Sequence, residues 1–214
     1  MDDIIAKLQS VFGLSDFPDA LFYRFDAALR FELGGETHSV NGRPIQRFLQ
    51  AVTRAIAVAE AVFAKASSIT LLVSHYDRPK ASAAKFRGIT ASGLVRDDFS
   101  LISSTAQNGD AYRAEFGEDL YRHQFVYKGD ARGVLADLLW LVVAKEMPIR
   151  PEVRWLSVYL VDLDRGICLH PYDDRGMDIV AMDPATLTPI YHAFGDWLLP
   201  YDRKQMDATF GTGG

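Results

Sequence analysis

The sequence predicts a single α+β domain, residues 1–214, with a mostly antiparallel sheet and helices packed on one face. Three observations carry this prediction. The 214 residues are 49% apolar, which is enough for one sizeable core. Helical and alternating apolar patterns follow one another without the regular order that a doubly wound parallel sheet requires. Two tight Asp-Arg-Gly turns in the last third imply antiparallel neighbouring strands.

Three elements are predicted in the first third of the chain. Residues 4–12 carry apolar side chains at helical spacing, and Gly13 suits the position that ends a helix. Residues 29–33 alternate between apolar and charged, as in a half-buried strand. Pro44 fits the first turn of a long helix. The apolar stripe of that helix consists of Ile45, Phe48, Leu49, Val52, Ile56, Ala59, Val62 and Phe63.

The middle of the chain is predicted to be less regular. Residues 69–73 and 121–127 have the composition of strands, and a helix is expected from about 132 to 146. Between them, residues 79–117 are predicted as an irregular basic loop region. Bases without any acid concentrate at its start, in the run from 78 to 96. Such runs are usually solvated surface, and the sharper hypothesis is an anion-binding flap.

The last third predicts a three-stranded meander followed by a helix. Strands are expected over residues 155–161, 167–172 and 178–182, joined by the two Asp-Arg-Gly turns. In both turns, glycine is expected to adopt the left-handed backbone conformation. Asp183 followed by proline is a strong helix start. The tail at 211–214 is expected to fray.

Composition excludes several classes of protein. The single cysteine, Cys168, cannot form an intramolecular disulfide, and neither a secretory signal nor a membrane-length apolar run is present. We therefore expect a cytoplasmic protein. The formal net charge of −5 comes entirely from the residues after 150, which hold ten acids and five bases. An acidic chain of this kind is a poor candidate for nucleic-acid binding.

The segment from Tyr172 to Asp178 is the strongest candidate for chemistry. Its candidate residues are Tyr172, Asp173, Asp174, Arg175 and Asp178. In one interpretation, Arg175 pairs with Asp173 or Asp178 and braces a hairpin through charge-assisted hydrogen bonds. In the other, the three aspartates bind Mg²⁺ or Ca²⁺, or one of them acts as a general acid or base. Bracing is favoured, because the spacing matches no calcium-loop motif.

Further candidates come from a Tyr-Asp-Arg triplet that recurs at residues 76–78, 172–175 and 201–203. Arginine and carboxylate pair bidentately, so the triplets could converge on one polar cluster. Two histidines lie beside Tyr-Asp sequences near strand ends, although ordinary sheet histidines fit this pattern better than a metal site. Cys168 is predicted to be a core thiol. The secondary candidates are His75, Asp77, Arg78, His170, Asp202 and Arg203.

The segment His-Pro-Tyr-Asp-Asp-Arg-Gly-Met-Asp-Ile-Val-Ala at 170–181, with the Tyr-Asp-Arg at 201–203, resembles the bacterial domain-of-unknown-function family 3885. The Arg-Phe-Glu-Leu-Gly sequence at 30–34 and the helix around Arg54 are also similar to that family. The resemblance covers most of the chain and excludes residues 79–117. It implies a fold group and no particular reaction.

Two functions therefore stay open. The first is a non-catalytic, immunity-protein-like binding module whose acidic C-terminal face meets a protein partner, with a basic partner as the natural complement. The alternative is a small hydrolase or metal-dependent enzyme that uses Asp173, Asp174 and Asp178 with Arg175 as an anion clamp. We expect no cofactor under the first function and Mg²⁺ or Ca²⁺ under the second. A homodimer is compatible with either.

Overall fold

A seven-stranded antiparallel sheet organises the residues that the computed structural model describes, which are 2–35, 41–107, 113, 114, 117, 119–151 and 153–211. Every neighbouring pair of strands in it is antiparallel. The spatial order is β1-β7-β6-β5-β2-β4-β3. The strands are β1 (Ala28–Glu32), β2 (Thr70–Asp77), β3 (Phe99–Gln107), β4 (Leu120–Tyr127), β5 (Ser157–Asp162), β6 (Ile167–Asp173) and β7 (Gly176–Ala181).

The α-helices in these ranges are α1 (Asp2–Phe12), α2 (Pro44–Phe63), α3 (Leu135–Val143), α4 (Pro184–Ala193) and α5 (Arg203–Phe210). Short 3-10 segments flank several of them. Among the described residues, no helix is both long and apolar enough to cross a membrane. The predicted α+β class and the C-terminal meander of β5, β6 and β7 are confirmed. The Asp183 carboxylate caps α4 by accepting a hydrogen bond from the Ala185 N–H at 2.9 Å, as its sequence indicates.

Both faces of the sheet are covered. On one face, α2 packs against α3 and α4, and α3 contacts β6. The segment after α1 covers the other face, where Phe17 stacks on Tyr159 with ring centroids 5.6 Å apart. Tyr159 pairs with Leu72 in β2 and so faces away from His75, three residues further along that strand. The sequence pattern predicted the first layer and contained no signal for the second.

The region from 79 to 117 is more regular than its sequence predicts. Residues Ala83–Ser92 form a 3-10 segment, and β3 pairs along β4 as the edge strand of the sheet. The sequence did not predict β3, because many of its residues are polar or small. An edge strand does not need a fully apolar face. Residues 108–112, 115 and 116 of this region lie outside the described residues, as does the predicted frayed tail beyond Gly211.

The buried face of α2 is rotated relative to the predicted stripe. Ile45 and Leu49 were assigned to that stripe, but they are 70% and 58% exposed. Small residues such as Ala51 and Ala55 are buried instead, on the side of α2 that faces the rest of the protein. The buried residues of α2 are Phe48, Ala51, Ala55, Val58, Ala59, Val62 and Phe63.

The two Asp-Arg-Gly turns use their glycines for different reasons. Gly166 has φ +62°, the left-handed conformation predicted for it. Gly176 was predicted to do the same, and this is wrong, because it is absent from the described glycines with positive φ. A Cβ at Gly176 would instead lie 2.5 Å from the Phe31 carbonyl oxygen. Close approach of β1 to β7, and not turn geometry, requires this glycine.

We predict that Gly176→Ala destabilises the fold by about 1–3 kcal/mol, because the new methyl group meets a backbone carbonyl that cannot move without distorting β1. Gly195→Ala is the matched control, since a Cβ there has nothing within 4 Å. Its free energy of unfolding should stay within about 0.5 kcal/mol of the wild type. Urea denaturation measures both values, and equal effects of the two substitutions would contradict the steric account.

Candidate functional site

The three aspartates of the Tyr172–Asp178 segment face three different arginines. Asp173 accepts hydrogen bonds from Arg175, including one from its backbone N–H at 2.8 Å. Asp174 binds the Arg47 side chain from α2, and Asp178 binds Arg30 from β1. The pairing of Arg175 with Asp173 agrees with the bracing interpretation. The three carboxylates do not converge on a shared point where a cation could bind.

Asp178, which is itself fully buried, is the centre of a hydrogen-bond network. Arg30 binds it bidentately, with Nε 2.7 Å from Oδ1 and Nη2 2.9 Å from Oδ2. The Phe22 backbone N–H donates to Oδ2 at 3.1 Å, and the Tyr172 hydroxyl donates to Oδ1 at 3.3 Å. Burial alone would lower the pKa of Arg30, but the hydrogen bonds and charge of Asp178 raise it above its ordinary value. This buried carboxylate therefore holds structure together.

The same arginine reaches the C-terminal segment. Arg30 Nη1 donates to Asp202 Oδ2 at 3.1 Å and to the Tyr23 hydroxyl at 2.9 Å. The Tyr23 hydroxyl in turn donates to Asp202 Oδ1 at 3.3 Å. Asp202, a secondary candidate from the sequence, thus joins the Asp178 network through Arg30. Its neighbour Arg203 pairs instead with Asp207 at 2.6 Å.

The arginines of the three Tyr-Asp-Arg triplets have different surroundings. Arg175 binds Asp173 and approaches Glu146 Oε2 at 3.3 Å, and Arg203 binds Asp207 on α5. Arg78 lines a cleft. The triplets therefore converge only in part: the first triplet, residues 76–78, lines the same cleft as Tyr172 of the second.

This cleft, of about 600 Å³, lies at one end of the four central strands. Because neighbouring strands are antiparallel, the C-terminal ends of β2 and β6 meet the N-terminal ends of β4 and β5 at that end. The lining residues are Asp19, Tyr76, Asp77, Arg78, Lys85, Leu120, Lys145, Arg154, Trp155, Ser157, His170 and Tyr172. Four of them are cations and two are carboxylates. The cleft is therefore a concave site with an excess of positive charge.

Both carboxylates of the cleft are engaged by donors of the protein itself. Asp19 Oδ1 accepts from the Ser157 and Tyr159 hydroxyls, each at 3.3 Å, and Oδ2 accepts from the Tyr76 hydroxyl at 3.2 Å. Asp77 accepts from two backbone N–H groups, those of Arg78 at 2.9 Å and Ser82 at 2.8 Å. These hydrogen bonds lower the pKa of Asp77 although partial burial acts to raise it. The acids thus shape the cleft wall.

Lys145 differs from these acids in lacking a close partner. It follows α3 in the 3-10 segment Ala144–Glu146 and is half-buried. Within the described ranges, no carboxylate forms an ion pair with its ammonium group. Burial lowers the pKa of Lys145, and the more distant charges of Asp173 and Glu146 offset this only in part. An anion in the cleft would supply the missing partner.

His170 and Tyr172 form the wall of the cleft that faces the Asp178 network. The His170 Nδ1 lies 2.7 Å from the Val158 carbonyl oxygen, so Nδ1 carries the proton and Nε2 is left as an acceptor. The ring stacks on Tyr159 with centroids 4.3 Å apart. Burial lowers the pKa of His170 and raises that of Tyr172, where the charge of Asp178 adds to the effect. Both groups are neutral at physiological pH.

His75 lies in the opposite layer and does not line the cleft. It is 2% exposed, and neither ring nitrogen has a hydrogen-bond partner among the described residues. Phe125 stacks on it at 5.6 Å, and the His123 ring lies at the same distance. Burial, followed by the charge of His123, lowers the pKa of His75 to about 4. The two-histidine hypothesis for His75 and His170 therefore fails, because the two residues lie on opposite faces of the sheet.

Metal ligation and thiol chemistry find little support in this geometry. Within the described residues, no group of three or more His, Cys, Asp or Glu side chains could hold a metal ion. Cys168 is fully buried, and that burial raises the pKa of its thiol well above the ordinary value. It is the core thiol that its apolar neighbours predict.

The cleft contains residues that sequence reasoning missed. Asp19, Lys145, Arg154 and Trp155 were not candidates, whereas Tyr172, His170, Asp77 and Arg78 were. The missed residues stand in three separate parts of the sequence and share no motif. Lys85 belongs to the basic run for which an anion-binding flap was the sharper hypothesis. Only the strand order brings these groups to one end of the sheet.

The sequence matches one protein-family model over most of its length. A family model described as "Domain of unknown function (DUF3885)" matches residues 4–202. The chain belongs to this family. The resemblance indicated by the sequence motifs is thereby confirmed, and the DUF3885 match also spans residues 79–117, which that resemblance did not include.

A curated relative of the DUF3885 chain is the "Uncharacterized protein YnaE" of Bacillus subtilis (strain 168). The two sequences are 26% identical over 72 residues, which cover 31% of this chain and 34% of the relative. The chain thus matches about a third of that relative's length. No solved structure matches the chain.

We predict that Asp178→Asn destabilises the DUF3885 chain by about 3–5 kcal/mol, because it removes the charge that the buried Arg30 binds bidentately. Asp119→Asn is the control, since it breaks a pair with Arg113 whose side chains are about half exposed. That substitution should change stability by less than about 1 kcal/mol. Urea denaturation at neutral pH compares them, and a loss below about 1 kcal/mol for Asp178→Asn would refute the structural role.

We also predict an acid-sensitive stability that depends on His75. The unfolded chain protonates this imidazole near pH 6.5, but the folded chain does so only near pH 4. The unfolded state therefore binds more protons between these values, and stability falls as pH drops through that window, by about 3 kcal/mol.

The substitution His75→Phe should make the unfolding free energy depend less on pH, because phenylalanine fits the aromatic cluster and cannot titrate. Part of this pH dependence will persist, since His170 also has a lowered pKa and acts in the same direction. Denaturation curves at several pH values from 7 to 4 provide the measurement. If the unfolding free energy of the variant falls with pH as steeply as that of the wild type, protonation of His75 does not cause the loss of stability in acid.

Proposed function

We propose that this DUF3885 chain is a non-catalytic binding module that holds a small phosphate-type anion in the cleft at the end of β2, β4, β5 and β6. The single observation that carries this proposal is the half-buried Lys145 ammonium, which faces a cleft and has no ion-pair partner among the described residues. A partly desolvated charge without a partner is unfavourable, and a bound anion would relieve that cost.

The charge of the cleft supports an anion over a cation. Arg78, Lys85 and Arg154 line it together with Lys145. The opposing carboxylates, Asp19 and Asp77, accept hydrogen bonds from hydroxyl and backbone groups of the protein. Each of their oxygens accepts at least one hydrogen bond from the protein itself. Arg78 and Lys85 come from the basic run, which agrees with the anion-binding flap hypothesis.

Binding is favoured over catalysis by the contacts of the reactive side chains. Among the described lining residues, the aliphatic hydroxyl of Ser157 donates to Asp19 and not to the His170 imidazole. The Asp173, Asp174 and Asp178 carboxylates, on which a hydrolase or a Mg²⁺ or Ca²⁺ site would depend, bind separate arginines. A nucleophile–base pair of the usual kind requires such groups to be in direct contact.

The ligand that we propose differs from the basic protein partner expected from the sequence. A basic protein partner would need free negative charge on the C-terminal third. Many of its carboxylates instead pair with arginines of the same chain. The binding-module proposal therefore keeps its class and changes its ligand from a basic protein to a small anion.

We predict that pyrophosphate raises the thermal midpoint of the wild-type chain and that Lys145→Met removes most of this rise. A charge-assisted contact contributes about 1.5–3 kcal/mol, so the affinity should fall roughly tenfold or more. Lys204→Met is the control, because Lys204 is exposed on α5 and does not line the cleft. The proposal fails if wild-type protein shows no rise, or if both variants keep it.

We further predict that sulfate affinity begins to fall, as the pH rises, before the pH reaches 10.5, the ordinary pKa of lysine. The reason is that burial lowers the pKa of Lys145. Sulfate serves as the probe since its charge stays constant over this range. Lys145→Arg should retain affinity to higher pH, as guanidinium does not lose its proton. Calorimetric titrations between pH 7 and 10 compare the two, and identical pH profiles would exclude Lys145 as the anion contact.

A further inference from the structure

We infer that the anion held in the cleft is the phosphate of a ligand that also carries an aromatic ring, of the mononucleotide class. This inference rests on the proposed anion-binding function and adds the second half of the ligand. It is carried by Trp155 and Tyr76, two aromatic side chains that line the cleft and remain exposed.

Trp155 differs from the two other tryptophans of the chain in its exposure. Trp140 and Trp197 pack against the hydrophobic core, whereas Trp155 is 59% exposed and lies outside the described core and its packed rim. Its indole lines the cleft immediately before β5 begins. A large exposed aromatic surface beside a concave site is typical of ligand recognition.

Both rings contact a charged side chain of the cleft. Lys85 Nζ lies 4.2 Å from the centroid of the Trp155 ring, a cation–π contact that holds the indole and adds positive charge beside it. Tyr76 is 40% exposed, and its hydroxyl is held by Asp19 Oδ2 at 3.2 Å. Aromatic faces in a cleft that also holds ammonium groups provide a stacking surface for a base and a contact for its phosphate.

The size of the cleft agrees with a ligand that has both a phosphate group and an aromatic ring. Its volume of about 600 Å³ falls in the range of sites for drug-sized ligands and far exceeds the space that one phosphate group fills. Lys145 stands on the wall formed by the segment after α3, and Trp155 stands on the wall before β5. A ligand with both an anionic and a planar group would contact both walls.

The test compares three ligands by isothermal titration: the ribonucleoside 5′-monophosphates, ribose 5-phosphate and the free nucleosides. At least one nucleoside monophosphate should bind about 5- to 150-fold more tightly than ribose 5-phosphate, which is the range expected for one stacked base. Free nucleosides should bind weakly, because they lack the group that Lys145 contacts.

Trp155→Ala should bring the ratio of nucleotide affinity to ribose 5-phosphate affinity close to one, whatever it does to the affinity for ribose 5-phosphate itself. Tyr201→Ala is the matched control, since Tyr201 is 86% exposed and does not line the cleft. Both positions are exposed, so thermal midpoints close to the wild-type value will verify that the variants fold.

The outcomes separate the two proposals. Equal binding of ribose 5-phosphate and every nucleotide overturns the aromatic inference and leaves the anion-binding function standing. A nucleotide preference that survives in Trp155→Ala also overturns it, since the stacking surface would then lie elsewhere. No binding by any phosphate-bearing ligand refutes the anion-binding function itself, and the inference fails with it.

Discussion

The buried pair between Arg30 and Asp178 is the interaction on which the rest of the structure depends. It joins β1 to β7 across the sheet, and Asp178 fixes the Phe22 backbone through the same carboxylate. Arg30 also holds Asp202, so the pair links the beginning of the chain to its end. A charge this deep is tolerated only when all its oxygens are satisfied, and the hydroxyl of Tyr172 completes that set.

Tyr172 connects this structural network to the cleft. Its hydroxyl donates to Asp178, while the residue itself lines the cleft beside His170. On the far side of the cleft, Arg122 plays a similar part, because it is buried against the Tyr159 hydroxyl and the Phe17 carbonyl. The cleft therefore lies between two polar networks. Lys145 lines it from the segment after α3, and Lys85 lines it from the 3-10 segment Ala83–Ser92.

The sequence predicted most elements of the fold for clear physical reasons. Strong periodicity identified α2 and the strands of the meander, and the Asp183 cap placed the start of α4. Pattern failed where burial was not periodic. The edge strand β3 lacks a continuous buried apolar face, so its sequence does not show the alternation that identifies a strand. The Ile45 side of α2 was mistaken for its buried face, because alanines carry too weak a signal to mark the true one.

By itself, the sequence determined the α+β class, the C-terminal hairpins and the family to which the chain belongs, because these depend on local spacing and turn chemistry. It also singled out the Tyr172–Asp178 segment, but it could not say which arginine each aspartate would meet. Only the tertiary structure decided that, since Arg47 and Arg30 approach from α2 and β1, more than a hundred residues away in sequence. The cleft was decided in the same way. Its charged and aromatic residues become neighbours only when antiparallel pairing brings the ends of four strands together.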